Sequence, residues 1–346
     1  MKNILLVLAL LAYWIPSRAC TTFVLDHNGQ RVFGRNYDWV TGNGLVCVNQ
    51  RGLSKTSMPV ADGKTVSWIS KYGSLSFNQY GKEFPTGGMN EKGLVVELMW
   101  LDGTSYPELD DRPAIGVLQW IQYQLDNSST VEDVIKSDKL LRITRKGTPL
   151  HYLVADREGK TATIEFLDGR MVVHQGMDLP HPVLTNNRYA ESISQVSGSV
   201  AAYRENSLER FVKACNLVNH YKSSTSSVKA VDYAFDILAE VAQGSHTKWR
   251  IVYDITNLEI HFRTLDFPQV KTISFKDFNL NCGSPSLSWL MNQSGSGDIG
   301  KLFGQFSLKQ NQELVERSAE ETRSQFEFSK EAILRNWQYP GSTLCQ

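Results

Sequence analysis

The chain has 346 residues, 41% hydrophobic and 21% charged, which is typical of a globular protein with one large domain or two small ones. Its 36 Lys and Arg balance its 36 Asp and Glu, and removal of residues 1–19, with Lys2 and Arg18, leaves a net charge of −2. No basic stripe or run of like charge stands out, so nucleic acid is not expected as a partner.

The first 19 residues have the pattern of a secretory signal peptide. Lys2 provides the positive start, residues 4–15 form an unbroken apolar run, and Ser17 and Ala19 are the small residues that precede a cleavage site. The apolar run is too short to span a bilayer as a helix. We therefore predict a periplasmic or secreted protein that begins at Cys20 and does not associate with a membrane after cleavage.

Strand and turn signals follow Cys20. Residues 20–25 and 31–39 predict two strands joined by a turn at Asn28-Gly29, and a second hairpin around residues 90–93 leads into the apolar strand 94–100. A helix is predicted from Pro113 in its first turn to about Asn127, and Ser129 with Glu132 resembles a capping box that starts another helix.

The second half of the chain continues the alternation of strands and helices. The predicted elements are a three-stranded meander at 151–155, 161–167 and 170–174, helices at 206–221 and 226–242, a hairpin at 250–254 and 258–264, and a helical stretch at 310–336. Strands, then helices, then strands predict one α+β domain over residues 20–346, ending in a helical tail from about 285 to 346.

The chain has five cysteines, and export permits disulfides. With Cys20 set aside, Cys47, Cys215, Cys282 and Cys345 allow three pairings, and all four can equally be free. Cys215 lies in a predicted amphipathic helix, where it has the character of a small core residue.

A cysteine directly after a cleavage site has three interpretations. It can be a core or disulfide cysteine, or the lipid anchor of a binding protein, although Ser17 stands where a lipidation signal usually has an aliphatic residue. It can also be a catalytic nucleophile, because its free α-amine, with a pKa of about 7.7–8.0, can accept the thiol proton near neutral pH. The first hairpin supports this last interpretation by bringing Arg35 and Asp38 alongside Cys20, although both can equally be a solvated pair on a strand.

Five segments in order resemble the choloylglycine hydrolase family, which contains bile salt hydrolases and penicillin V acylases. They are Cys20-Thr21, Gly34-Arg-Asn-Tyr-Asp-Trp39, Gly88-Met-Asn-Glu-Lys-Gly-Leu94, Val183-Leu-Thr-Asn-Asn187 and Ser207-Leu-Glu-Arg-Phe-Val-Lys213. The resemblance implies the four-layer αββα sandwich of the N-terminal nucleophile hydrolases.

The resemblance also implies roles for five residues. Cys20 is implied as nucleophile and, through its amine, as base; Asp38 as the residue that orients the amine; and Arg35 as the support of the thiolate. Asn186 is implied to donate its side-chain amide to the oxyanion, and Arg210 to stabilise charge across the site. On residue type alone, Asn186 is equally a turn residue and Arg210 an exposed helix residue.

Two tryptophans distinguish the branch of the family. Trp100 stands where bile salt hydrolases usually have an oxyanion-hole asparagine, which leaves the backbone N–H of residue 100 as the second donor. Together with Trp39 it resembles the penicillin V acylases of Gram-negative bacteria, and we expect the two indoles to bind substrate as walls of an acyl pocket. Both can equally be core residues.

The predicted function is therefore hydrolysis of small-molecule N-acyl amides, similar to that of penicillin V acylase. Conjugated bile salt hydrolase and acyl homoserine lactone acylase remain as alternatives, and a lipid-anchored or secreted binding protein as a different class. No cofactor or metal is expected, because the seven histidines show no metal-ligand spacing. Only 23 residues separate Asn186 from Arg210, so the family's tetramer contacts are not carried over, and a homo-oligomer stays open.

Overall fold

The computed structural model describes residues 20–196, 206–223 and 228–346. The predicted signal peptide, part of the interval between Asn186 and Arg210, and the predicted start of a helix at residue 226 lie outside the described residues.

The described strands are, in chain order, β1 Thr21–His27, β2 Gln30–Asp38, β3 Leu45–Asn49, β4 Leu53–Thr56, β5 Ser67–Ile69, β6 Ser74–Asn78, β7 Pro85–Asn90, β8 Val95–Trp100, β9 Ala114–Ile115, β10 Arg142–Ile143, β11 Leu150–Ala155, β12 Thr161–Leu167, β13 Arg170–Gln175, β14 Val183–Leu184, β15 Thr247–Asp254, β16 Glu259–Thr264, β17 Lys271–Ser274, β18 Leu287–Leu290, β19 Gly297–Asp298, β20 Gly304–Gln305 and β21 Leu344–Cys345. The α-helices are α1 Val117–Asn127, α2 Val131–Lys136, α3 Tyr189–Gln195, α4 Asn206–Ser223, α5 Ala230–Glu240, α6 Leu308–Glu321 and α7 Lys330–Gln338.

Two sheets form the centre of the fold. In the described chain, one has seven strands in the order β14-β1-β2-β15-β16-β17-β19, and the other has nine in the order β13-β12-β11-β8-β7-β6-β3-β18-β20. The sheets pack face to face: the ring of Phe77 on β6 lies 6.0 Å from that of Tyr253 on β15 and 5.6 Å from that of Phe262 on β16. Helices α4 and α5 cover the seven-stranded sheet and α1 covers the nine-stranded one, which confirms the predicted αββα sandwich.

The hairpin turns have the chemistry that their sequences predict. Asn28 and Gly29 have φ angles of 52° and 74°, and Asp168 and Gly169 have 51° and 73°. Positive φ at both central residues is the conformation of the two-residue turn that matches strand twist, and Asn-Gly and Asp-Gly adopt it at low cost. The first hairpin and the predicted meander are confirmed.

Two helix starts differ from the sequence prediction. Helix α1 begins at Val117, because Ala114–Ile115 pairs in parallel with Arg142–Ile143 as strand β9. The capping box of α2 lies one residue later than predicted: Thr130 accepts from the Asp133 nitrogen at 3.1 Å, and the Asp133 carboxylate accepts from the Thr130 nitrogen at 3.2 Å.

Residues 285–346 begin with strands β18 and β20 at the edge of the nine-stranded sheet. The predicted helical stretch at 310–336 is two helices, α6 and α7, separated by residues 322–329. A disulfide joins Cys282 to Cys345, and strand β21 pairs with β4. Among the described helices, none is both long and apolar enough to cross a bilayer.

Candidate active site

Cys20 lies directly before β1, which pairs with β2 on one side and β14 on the other. This pairing brings Asp38, the last residue of β2, and Asn186, which follows β14, to the same edge of the sheet. The backbone nitrogen of Cys20 donates to Oδ1 of Asn186 at 2.8 Å. Its Sγ lies 3.9 Å from the carbonyl oxygen of Asp38.

The thiol of Cys20 is buried, with 6% of the residue exposed. Burial raises its pKa above 9.0, and the nearby Arg35 charge opposes this shift without cancelling it. The buried thiol is therefore not a thiolate on its own at neutral pH, and it needs a base to become nucleophilic.

The carboxylate of Asp38 is also buried. Its Oδ1 accepts a hydrogen bond from the Thr247 hydroxyl at 2.5 Å, and its Oδ2 has no hydrogen-bond partner among the described residues. Burial raises the pKa of Asp38 from 3.8 to about 6, against the lowering influence of the Arg210 charge and the Thr247 hydrogen bond. The side chain predicted to orient the Cys20 nitrogen thus has an unpaired acceptor, while the nitrogen itself lies on Asn186.

Arg210 on α4 connects the parts of the site. Its Nη1 donates to the Cys20 carbonyl oxygen and to the Thr21 hydroxyl, both at 2.6 Å. Its Nη2 donates to Oδ1 of Asn186 at 3.0 Å, and Nε donates to Asn206 at 2.9 Å. Only 3% of the residue is exposed, so Arg210 is a buried clamp rather than an exposed helix residue.

The amide of Asn186 is held at both ends. Oδ1 accepts from Cys20 and Arg210, and Nδ2 donates to the carbonyl oxygen of Trp100 at 2.8 Å. An amide nitrogen carries two N–H groups, so Nδ2 keeps a second N–H beside the one that it donates to residue 100.

Arg35 is buried, and its charge acts on the thiol of Cys20. It is fully buried on β2, forms an ion pair with Glu97 of β8 and donates to the Thr86 carbonyl oxygen at 2.9 Å. Its guanidinium also lies 4.8 Å from the centre of the Tyr37 ring. The pair with Glu97 joins the two sheets, and the cationic charge of Arg35 lowers the thiol pKa against the effect of burial.

An apolar cavity of about 300 Å³ opens onto Cys20. Its walls include Trp39, Trp100, Leu98 and Leu150, so both predicted substrate-binding tryptophans line it. The two indoles are stacked with their centres 6.4 Å apart, at an interplanar angle of 26°. Such a cavity suits a flat or extended apolar group whose carbonyl carbon lies at the thiol.

Sequence reasoning missed several residues of the site. Thr247 was not predicted, since it meets Asp38 only through the pairing of β15 with β2. Phe326 and Phe328, which also line the cavity, come from the segment between α6 and α7. A signal for Glu97 was present: it is a single acid within the apolar run 94–100, and a buried charge in such a run requires a partner.

Comparison with known proteins agrees with this geometry. Residues 20–195 match the family model of linear amide C–N hydrolases, choloylglycine hydrolase family. The chain is 29% identical over 333 residues to a penicillin V acylase of Pectobacterium atrosepticum, covering 80% of this chain and 87% of that protein.

Solved structures show the same architecture. The penicillin V acylase from Agrobacterium tumefaciens superposes with a TM-score of 0.70 at 27% identity, covering 83% of this chain and 98% of that one. A variant of the conjugated bile acid hydrolase from Clostridium perfringens gives a TM-score of 0.66 at 19% identity over 80% and 98% of the two chains, which supports the fold alone. The chain therefore belongs to the choloylglycine hydrolase family of linear amide C–N hydrolases.

Proposed function

We propose that the chain is a periplasmic or secreted hydrolase that cleaves N-acyl amides with an aromatic or extended apolar acyl group, with Cys20 as its N-terminal nucleophile. The observation that carries the proposal is the position of Cys20: it lines the apolar cavity while its nitrogen is hydrogen-bonded to Asn186. Cleavage after Ala19 and export are part of the proposal, and the sequence pattern of residues 1–19 supports them.

Cleavage supplies the base that the buried thiol needs. In the full chain the Cys20 nitrogen is a peptide nitrogen, which cannot accept a proton. In the processed chain it is an amine with a pKa of about 7.7–8.0. The additional N–H groups of that amine need acceptors. Oδ2 of Asp38 has no partner in the described part of the chain, and it is the acceptor that we propose for one of them.

The reaction then proceeds in two steps. The amine takes the thiol proton, and the thiolate forms a bond to the carbonyl carbon of the substrate amide. Asn186 Nδ2 and the backbone N–H of residue 100 stabilise the oxyanion, and the ammonium gives its proton to the leaving nitrogen as the C–N bond breaks. Water, activated by the same amine, hydrolyses the thioester and releases the acid and the free thiol.

The lining of the cavity indicates which part of the substrate, the acyl group or the amine, binds in it. Its walls are mostly aromatic and aliphatic side chains, which suit the acyl group rather than a polar amine product. The phenoxyacetyl group of penicillin V is a flat ring on a short linker, and the two stacked indoles offer matching faces. The hydroxyl groups of a bile acid require polar partners, and polar side chains such as Gln119, Thr148 and Asn336 are a minority of the residues that line the cavity.

The test is hydrolysis by the purified processed protein of penicillin V, glycocholate and an N-acyl homoserine lactone, assayed side by side. We expect the highest kcat/KM for penicillin V, loss of activity in Cys20→Ala, and retained activity in Cys215→Ala, which removes a buried thiol of α4 outside the cavity. Retained hydrolysis by Cys20→Ala would contradict the mechanism.

Two further outcomes separate the alternatives. Faster cleavage of glycocholate would overturn the acyl-pocket argument and favour a bile salt hydrolase. The intact mass distinguishes the other class of protein, because a diacylglyceryl group on Cys20 would block the proposed base and indicate a lipid-anchored binding protein.

A further inference from the structure

We infer that residues 322–329 form an aromatic cover over the acyl cavity, and that Phe326 and Phe328 in this segment set the preference for large apolar acyl groups. The inference rests on the proposed function, because it assigns the cavity to the acyl group of the substrate. It gives a role to a part of the chain that lies outside residues 20–195, the span that matches the family model.

Phe326 makes the same kind of contact with both cavity tryptophans. Its ring centre lies 5.8 Å from that of Trp39 and 5.9 Å from that of Trp100, at angles of 31° and 36°. The two indoles are themselves stacked, so Phe326 completes a group of three rings. Ring centres 4.5–7 Å apart are within the range of favourable aromatic contact.

Phe328 extends this group of rings and also lines the cavity. Its ring centre lies 5.8 Å from that of Phe326 and 5.6 Å from that of Tyr80. The Tyr80 hydroxyl accepts a hydrogen bond from Nε1 of Trp39 at 3.0 Å. The two phenylalanines of the cover therefore contact three aromatic residues of the wall, and a hydrogen bond joins two of those three to each other.

Both ends of the cover are anchored to the protein body. At its start, Thr322 donates to the Ser318 carbonyl oxygen at 2.6 Å, which ties the first residue of the cover to α6. After its end, Nδ2 of Asn311 on α6 donates to the Trp337 carbonyl oxygen of α7 at 2.9 Å. Oδ1 of Asn311 accepts from the backbone nitrogen of Lys82, also at 2.9 Å. The helices hold the cover in place, while 322–329 itself is a turn and irregular segment.

The phenylalanines of the cover are only half-buried in the structure. A phenyl or long acyl group in the cavity would contact their faces and remove them from water, whereas an acetyl group offers a single methyl and can cover much less of them. The contribution of Phe326 and Phe328 to binding should therefore depend on acyl size, which is the signature of a specificity-determining residue.

The experiment compares the phenoxyacetyl and acetyl amides of one amine, 6-aminopenicillanic acid, so that only the acyl group changes. For Phe326→Ala and Phe328→Ala we expect the ratio of the two kcat/KM values to fall about tenfold, with the acetyl amide changed less than about twofold. Phe326→Leu keeps apolar volume without the flat face and should give an intermediate ratio. An unchanged ratio in both alanine variants would overturn the inference.

Phe306→Ala is the matched control. Phe306 is a phenylalanine of the same C-terminal part of the chain, before the cover. It packs against Leu45, Cys47 and Leu314 and does not line the cavity. We expect its ratio to equal that of the wild type. A tenfold fall in this control would show that loosening of the whole segment, rather than contact with the acyl group, sets the ratio, and would overturn the inference.

A binding measurement separates this inference from the proposed function. If the wild type cleaves neither amide, the proposed function fails. Calorimetric titration with phenoxyacetate and acetate then tests whether the cover contacts the acyl group. Phenoxyacetate should then bind the wild type about tenfold more tightly than Phe326→Ala, with acetate unaffected. Equal phenoxyacetate affinities for the two proteins would overturn the inference.

Discussion

The hydroxyl of Thr247 donates to Oδ1 of Asp38 at 2.5 Å, although the two residues are 209 positions apart in the chain. The contact arises because β15 pairs with β2 and places Thr247 opposite Asp38. This hydrogen bond favours the ionised form of the buried carboxylate, so its removal should change the pH dependence of activity.

Replacement of Thr247 by valine should move the acid limb of activity to higher pH. Burial holds the pKa of Asp38 at about 6 even with the hydrogen bond. In the proposed mechanism ionised Asp38 holds the α-ammonium, so activity should fall as the pH drops through that region. Loss of a donor to the carboxylate raises its pKa further, and we expect a shift of about one pH unit in the log kcat/KM profile.

Thr163→Val is the control for this shift. The Thr163 hydroxyl is buried on β12 and has no hydrogen-bond partner among the described residues, so the same chemical change there should leave the profile in place. A shift to lower pH in Thr247→Val would contradict the assignment of the acid limb to Asp38.

The buried ion pair of Arg35 and Glu97 predicts a large effect on stability. Both side chains are completely inaccessible, and Glu97 also accepts from the Tyr253 hydroxyl. Glu97→Gln leaves the Arg35 charge buried without its counter-charge, so the free energy of unfolding in urea should fall by about 3–5 kcal/mol.

A surface pair provides the comparison for this stability effect. Glu331 and Arg335 lie one turn apart on α7, with Oε1 of Glu331 3.7 Å from Nη1 of Arg335. The two side chains are 74% and 45% exposed. Glu331→Gln should change the unfolding free energy by no more than about 0.5 kcal/mol. Equal effects of the two substitutions would show that the Arg35–Glu97 pair is not a structural support of the site.

Arg210→Met should reduce kcat more than it changes KM. Arg210 holds the Cys20 carbonyl and Asn186 in their relative positions, but it does not line the acyl cavity. Since Asn186 is the proposed oxyanion donor, its displacement should lower kcat for penicillin V by about 10²-fold. Lys213→Met on the same helix removes an exposed cation that pairs with Glu240, and it should leave both constants unchanged. A rise in KM alone would assign Arg210 to substrate binding instead.

One extra residue before Cys20 should convert the proposed basic amine into a peptide nitrogen without altering the fold. We expect a chain that carries one extra alanine at this position to lose about 10²–10⁴-fold in kcat, because a peptide nitrogen cannot accept the thiol proton. Removal of the alanine with an aminopeptidase should restore activity in the same sample. Full activity of the extended chain would exclude the α-amine as the base.

The disulfide of Cys282 and Cys345 predicts a link between redox state and the cover. It closes a span of 63 residues that contains α6, the cover and α7, so the double variant Cys282→Ser, Cys345→Ser should be less stable by about 2–4 kcal/mol. Its preference for the phenoxyacetyl amide should also decrease. Reduced wild type should match the variant in urea denaturation, and a reductant should not alter the variant. Equal stability under oxidising conditions would contradict the prediction.

The local elements of this protein could be predicted from its sequence, because short-range chemistry determines them. The Asn28-Gly29 and Asp168-Gly169 turns favour positive φ, and alternating or continuous apolar runs specify the strands on either side. The position of Cys20 after a cleavage pattern, with the ordered family motifs, led to the αββα fold and to the set Cys20, Arg35, Asp38, Asn186 and Arg210, whose catalytic roles stay predictions.

Only the tertiary structure decided how distant segments complete the site. The pairing of β15 with β2 places Thr247 on Asp38, the packing of the two sheets places Glu97 on Arg35, and the docking of α6 and α7 brings Phe326 to the tryptophans. Two further features depend on chain segments far apart in sequence. Cys345 is the partner of Cys282, and Ala114–Ile115 is a strand in place of a first helical turn. Composition and periodicity report which face of an element is apolar, but register and docking follow from the packing of all elements together, so these contacts required the folded structure.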